Sequence, residues 1–128
     1  MTKKSNKIFL EKLSFAEEQA MQAIWQLNGG FVKELLNHLD DSKLPYTTLA
    51  STVKNLEKKG YIKGVKYANA YRYESVVPEE QYKTLFMKNF VSDYFKNSYK
   101  ELVSFFAKEE KITAEDLKDI VRMIEKEE

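Results

Sequence analysis

Residues 46–76 read YTTLASTVKNLEKKGYIKGVKYANAYRYESV, and the architecture follows from this run. Leu49, Val53 and Leu56 recur at helical spacing, while Tyr46, Thr47, Thr48, Ser51, Thr52, Lys54, Asn55 and Lys58 are polar or amphipathic. Pro45 suits a helix start, and Lys58-Lys59-Gly60 combines the basic charge and the glycine of a helix C-terminus. The spacing predicts a helix over about 46–59. Tyr61 to Tyr67 then alternates in part, Ala68-Asn69-Ala70 turns, and Tyr71 to Val76 returns. Tyr, Val and Ile favour strands, so this half reads as a β-hairpin.

Upstream, Leu13-Ser14-Phe15-Ala16-Glu17 has the form of a capping box. Phe15, Met21, Ile24, Trp25 and Leu27 are compatible with one face of the helix that follows. Asn28-Gly29-Gly30 stops that helix, because glycine takes the left-handed conformation a C-cap needs. Val32, Leu35, Leu36 and Leu39 predict a second, short helix over about 31–40, ended by Asp40-Asp41-Ser42. Three short helices and a hairpin follow the order of a winged helix-turn-helix.

Downstream, Pro78-Glu79-Glu80 opens a longer helical region. Eight rings fall between Tyr82 and Phe106: Tyr82, Phe86, Phe90, Tyr94, Phe95, Tyr99, Phe105 and Phe106. Leu85 and Leu102 share their spacing. Asn97-Ser98 can recap the chain, and Thr113-Ala114-Glu115-Asp116 offers a further N-cap. Leu117, Ile120, Val121 and Ile124 line one face of the last helix. Isolated helices cannot bury so many rings within themselves, and aromatic residues are a large hydrophobic contribution to interfaces. These thirteen positions (the eight rings with Leu85, Leu102, Leu117, Ile120 and Ile124) are read as a dimerisation arm, with packing against the first domain as the plainer alternative. The expected class is mainly α with a small β-hairpin wing. Residues 1–77 form a winged helix-turn-helix DNA-binding domain, and residues 78–128 a helical dimerisation region.

Charge is distributed to match. Residues 1–77 carry twelve Lys/Arg against eight Asp/Glu, and residues 78–128 carry nine against twelve, within a total net charge of +1. The basic half can meet a polyanion that the acidic half would repel. An α-helix fits the major groove, where each base pair shows a distinct set of donors, acceptors and methyls. On the third helix, hydroxyls can reach phosphate or base edges, Asn55 can pair with adenine, and Lys54 and Lys58 suit phosphates. Lys63, Lys66 and Arg72 on the hairpin can contact the flanking backbone or minor groove. The third helix has no arginine, so contacts to A·T-containing steps are expected. The same polar residues could also be a solvated helix face, and the competing reading is a winged-helix protein-interaction module without DNA binding.

Several functions are set aside. With no cysteine, the chain has no disulfide, thiolate metal site or cysteine nucleophile, which fits a cytoplasmic protein. No stretch approaches the roughly 20 apolar residues that span a bilayer, so no membrane insertion is expected. His38 is the lone histidine, placed at a helix end, and no second imidazole is available for a two-histidine metal site. Glu17-Glu18, Glu109-Glu110, Glu115-Asp116 and Glu127-Glu128 read as caps or solvated helix ends. Neither a glycine-rich phosphate loop nor a Ser/His/Asp arrangement is present, so no enzyme activity and no cofactor are expected.

The joint pattern resembles the penicillinase-repressor family, which includes repressors of β-lactamase and methicillin-resistance operons and copper-responsive relatives. The matching residues are Ala16-Glu17, Ile24-Trp25, Val32-Lys33-Glu34-Leu35, Thr48 through Leu56 to Lys58-Lys59-Gly60-Tyr61-Ile62, and Tyr71-Arg72-Tyr73. Glu79-Glu80-Gln81-Tyr82, Phe95-Lys96-Asn97-Ser98 and Leu102-Val103 extend the resemblance, which covers about 13–124. It implies a homodimer that binds a pseudo-palindromic double-stranded DNA operator and represses the adjoining genes. For resistance-type members it also implies a regulatory protease that cuts the arm at an Asn–Phe bond. Here Phe105 stands where that asparagine would be, in Leu102-Val103-Ser104-Phe105-Phe106. The cysteine-rich tail of the copper-responsive relatives has no counterpart.

Overall fold

Ser14 starts the first helix as its spacing to Glu17 predicts. Its hydroxyl accepts the Glu17 N–H at 3.2 Å, and its own N–H donates to Glu17 Oε1 at 2.8 Å. The structure, a computed structural model, describes residues 10–39 and 44–126. Helix α1 spans Phe15–Leu27, strand β1 Gly30–Phe31, helix α2 Val32–His38 and helix α3 Tyr46–Lys58. The hairpin strands are β2 (Ile62–Tyr67) and β3 (Ala70–Ser75). Helices α4 (Glu79–Phe95), α5 (Tyr99–Lys108) and α6 (Ala114–Lys126) complete the chain. The class is mainly α with a small sheet, as expected. Asp40, Asp41 and Ser42, used in sequence to end α2, lie outside the described residues, as do Glu127 and Glu128.

The chain divides into two compact units, residues 1–81 and 82–128. The division falls inside α4, four residues beyond the boundary at 77/78 expected from Pro78.

In the first unit, α1, α2 and α3 pack on one another over Met21, Ile24, Leu35, Leu49, Val53 and Leu56, each fully buried. The expected α1 stripe is corrected at its ends: Phe15 is 75% exposed and Leu27 38%, while the small Ala20 and Ala23 are buried. Helix α3 stops by a Schellman arrangement: the Tyr61 N–H donates to the Leu56 carbonyl and the Gly60 N–H to the Glu57 carbonyl, with Gly60 at φ +83°.

The sheet has the order β1-β3-β2, antiparallel throughout. Sequence reading took Asn28-Gly29-Gly30 only as a stop and missed β1, in which Gly30 pairs with Tyr73 and Phe31 with Arg72. The turn is also tighter than expected: Tyr67 pairs with Ala70, leaving Ala68 and Asn69 as the two-residue loop. Gly29 sits at φ +95°, where an added Cβ would lie 2.8 Å from both Arg72 Nη1 and the Tyr73 carbonyl oxygen, so no larger residue fits. The Trp25 indole N–H reaches the Val77 carbonyl at 2.9 Å and Ser75 Oγ at 3.1 Å, tying α1 to the end of the wing.

A partly buried ion pair joins the start of α1 to the end of α3. Lys59 Nζ lies 2.7 Å from Glu17 Oε1 and donates to the Lys12 carbonyl at 3.0 Å. Burial pushes the Glu17 carboxyl up, but hydrogen bonds from Lys59 and the Ser14 N–H, with the Lys59 charge, outweigh it and hold the group below its ordinary value. The stability it contributes is therefore complete above the ordinary glutamate range, about pH 4, and is lost as acid protonates the folded carboxyl. Urea midpoints should fall on acidification below that pH, and the fall should be smaller in Glu17→Gln. Equal slopes in the two proteins would overturn the assignment.

In the second unit, Ser98 caps α5 by accepting the Glu101 N–H, and Thr113 and Asp116 form a reciprocal cap on α6. The rings form a ladder along α4 and into α5. Phe86 stacks on Phe90 with centroids 6.3 Å apart and planes at 12°, and Phe95 meets Phe105 edge to face at 5.8 Å. Yet Val91 is the one buried apolar residue among those described in this unit. Tyr94 is 73% exposed, Ile120 43% and Ile124 60%, with Phe86, Tyr99, Phe105 and Val121 also exposed. Tyr82, Leu85, Phe90, Phe95, Leu102, Phe106 and Leu117 are half-buried.

Candidate nucleic-acid interface

Helical periodicity divides α3 into an anchored side and a free side. Leu49, Val53 and Leu56, three to four residues apart, are fully buried and lock the helix to the domain. Thr47, Thr48, Ser51, Lys54, Asn55 and Lys58 are exposed, as is Tyr46 at the first turn. Six of these form one stripe of hydroxyls, an amide and two ammonium groups running the length of the helix. Lys54 makes a loose pair with Glu57 at 4.0 Å, which at its exposure binds the ammonium weakly.

Thr52 is a correction to the expected set. It is 8% exposed, and its hydroxyl donates to the Thr48 carbonyl at 2.9 Å. At three residues after Leu49 and four before Leu56, it falls on the buried side, where an uncompensated hydroxyl would be costly; the bond within its own helix settles it.

Alternation along the hairpin separates its cations. Residues opposite each other in an antiparallel pair share a face, so Lys66 goes with Tyr71, Gly64 with Tyr73, and Lys63 with Glu74. The Gly64–Tyr73 face looks toward α3, since a Cβ on Gly64 would approach Glu57 Oε2 at 3.4 Å. Lys66 is on that side. Lys63 and Arg72 occupy the other face, and Arg72 is held there: its guanidinium donates to the Asn28 carbonyl at 3.0 Å and lies 3.5 Å from Glu74. Arg72 thus fastens the wing to the end of α1 and is not turned outward as a free cation. Lys63 and Lys66 are exposed.

Between α3 and the wing lies a groove of about 810 Å³, lined among others by Phe31, Lys33, Tyr46, Lys54, Tyr71 and Tyr73. Sequence reading missed Lys33, Tyr71 and Tyr73 at this place. Strand alternation with Lys66 was the signal for Tyr71, whereas Lys33, in the first turn of α2, is brought there only by the tertiary packing of α2 beside α3. Elsewhere, His38 Nε2 meets Gln26 Oε1 at 2.6 Å. Among the described residues, no three His, Cys, Asp or Glu side chains are grouped to hold a metal ion, and no helix is long and apolar enough to cross a membrane.

Comparison with known proteins places these features. The profile of the family described as "Penicillinase repressor" matches residues 13–126. The penicillinase repressor of Staphylococcus aureus is 30% identical over 119 residues, covering 90% of this chain and 94% of that protein. The methicillin resistance regulatory protein MecI of Staphylococcus aureus (strain N315) is 24% identical over 116 residues, with the same coverage. Among solved structures, a variant of Lactococcus lactis ZitR is similar with a TM-score of 0.44 and 15% identity, over 91% of this chain and 75% of that one. With a family profile spanning both units, this chain belongs to the penicillinase repressor family, a family of transcriptional regulators and not of enzymes.

Proposed function

We propose that the protein represses transcription by binding operator DNA as a homodimer, with α3 of each copy in the major groove. The observation that carries this reading is the exposed α3 stripe of Thr47, Thr48, Ser51, Lys54, Asn55 and Lys58, backed by a fully buried apolar side. Such a helix presents donors and acceptors to base edges and ammonium groups to phosphates without disturbing its own packing. Lys63 and Lys66 on the wing add charge for the flanking backbone. Tyr46 is exposed at the first turn of α3, off this stripe and beside the groove toward the wing.

The second copy is supported by the second unit. Phe86, Tyr94, Tyr99 and Phe105 and the α6 face of Ile120, Val121 and Ile124 stand exposed in the single chain, the kind of apolar surface that marks an interaction site. A two-fold arm covers this surface and sets two heads at a fixed spacing, which a pseudo-palindromic operator mirrors. Phe105, which the family resemblance sets where cleavage-regulated members have an asparagine, is 48% exposed within α5 and packs edge to face on Phe106. A regulatory protease acting here would have to open that helix turn.

The test is a titration of the gene's own promoter fragment at rising salt, followed by a footprint. Affinity should fall steeply with salt, and two protected half-sites should lie about one helical turn, or a multiple of it, apart. Salt-independent binding, or none to any promoter fragment, would leave the protein-interaction module as the better reading.

A further inference from the structure

One buried polar group in the first unit is left unused by the fold. Tyr73 is 5% exposed, and among the described residues its hydroxyl has no hydrogen-bond partner. Buried hydroxyls are almost always paired, so an orphan at the wall of a groove marks a place where something else supplies the partner. Burial raises the Tyr73 pKa, and the nearby Lys54 only partly offsets this, so the phenol stays protonated and is a donor at neutral pH.

The surroundings define what that something is. Tyr46 and Tyr71 line the same groove, which has the volume of a small-molecule site; Lys33 and Lys54 also line it, and the one carboxylate in its lining, Glu34, accepts the Phe31 N–H at 2.9 Å. Two exposed rings offer faces and edges to a flat apolar ligand. A bare phosphate would gain nothing from them.

We propose that the groove between α3 and the wing binds a planar aromatic monoanion, its acid group taken by the Tyr73 hydroxyl and the Lys54 ammonium. The ring of the ligand lies against Tyr46 and Tyr71. Because Lys54 also belongs to the stripe proposed to meet DNA, ligand and duplex exclude each other; that clause rests on the DNA reading, whereas the site itself does not.

The probe is 2-naphthoate, titrated into the full-length protein and followed by its fluorescence and by amide chemical shifts. Saturable binding at one per chain should shift the amides of Phe31, Ser51 and Tyr73, and neutral naphthalene should bind at least about tenfold more weakly. Tyr73→Phe removes only an unpartnered hydroxyl and leaves the fold intact, yet should weaken naphthoate about tenfold, because a hydrogen bond to a charged group is lost. Lys54→Gln should weaken it by a similar factor. Unchanged affinity in Tyr73→Phe, equal binding of naphthalene, or shifts confined to residues 82–128 would overturn the site. Added promoter duplex should displace the probe. Simultaneous binding would overturn the exclusion, while a protein that takes naphthoate but no duplex would sustain the site and sink the DNA reading instead.

Discussion

A protein carrying Lys54→Glu and Lys58→Glu should fold normally and lose duplex binding by on the order of a hundredfold or more at low salt. Both side chains are on the exposed stripe of α3, one turn apart, and among the described residues the one ion pair involved is the loose contact of Lys54 with Glu57. Reversal replaces two attractions to phosphate with two repulsions in the same place. Any residual binding should show a salt slope shallower by about two units, one for each phosphate contact removed. Parallel fluorescence-anisotropy titrations of both proteins at several salt concentrations measure this. Equal affinities would mean that α3 does not face DNA. A loss with an unchanged slope would place the lysines away from the phosphates.

Ile120→Glu with Ile124→Glu should convert the protein to single chains and weaken operator binding by about 10²–10⁴, the gain that two linked heads have over one. Neither residue is part of a core: the two are 43% and 60% exposed, one turn apart on α6. In a covered interface, four carboxylates around the two-fold axis would be buried without partners, a cost far above the lost apolar contact. Sedimentation should report the mass of one chain, and circular dichroism should be unchanged. A variant that stays dimeric would move the interface to the ring ladder of α4 and α5. A monomer with full operator affinity would sever assembly from function.

Much of this was legible where local rules act over short spans. Ser14 with Glu17, Ser98, Thr113 with Asp116, and Lys59-Gly60 each mark a helix end by chemistry contained within four residues. The alternation of Tyr and Lys from Tyr61 onward located the hairpin. Strand β1 was not legible, since two residues cannot display a period and it exists only because β3 lies beside it. Thr52 was misplaced by reading its side-chain chemistry and not its angle on the helix, although its spacing from Leu49 and Leu56 held the answer. Arg72 was grouped with Lys63 and Lys66 as a hairpin contact to DNA because a charge pattern takes no account of cross-strand neighbours; in the fold its guanidinium donates to the Asn28 carbonyl. Phe15 and Leu27 fell outside the core because α1 buries a stripe narrowed by Ala20 and Ala23.

The indole of Trp25 is the lone tryptophan in the chain, and the backbone that leaves the wing for α4 holds its N–H. Emission from this protein therefore arises at a single seam. A red shift under mild denaturant, heat or an added effector can be traced to release of Val77 from α1 without introducing any label. Nature has built the optical gauge into the contact between α1 and the end of the hairpin.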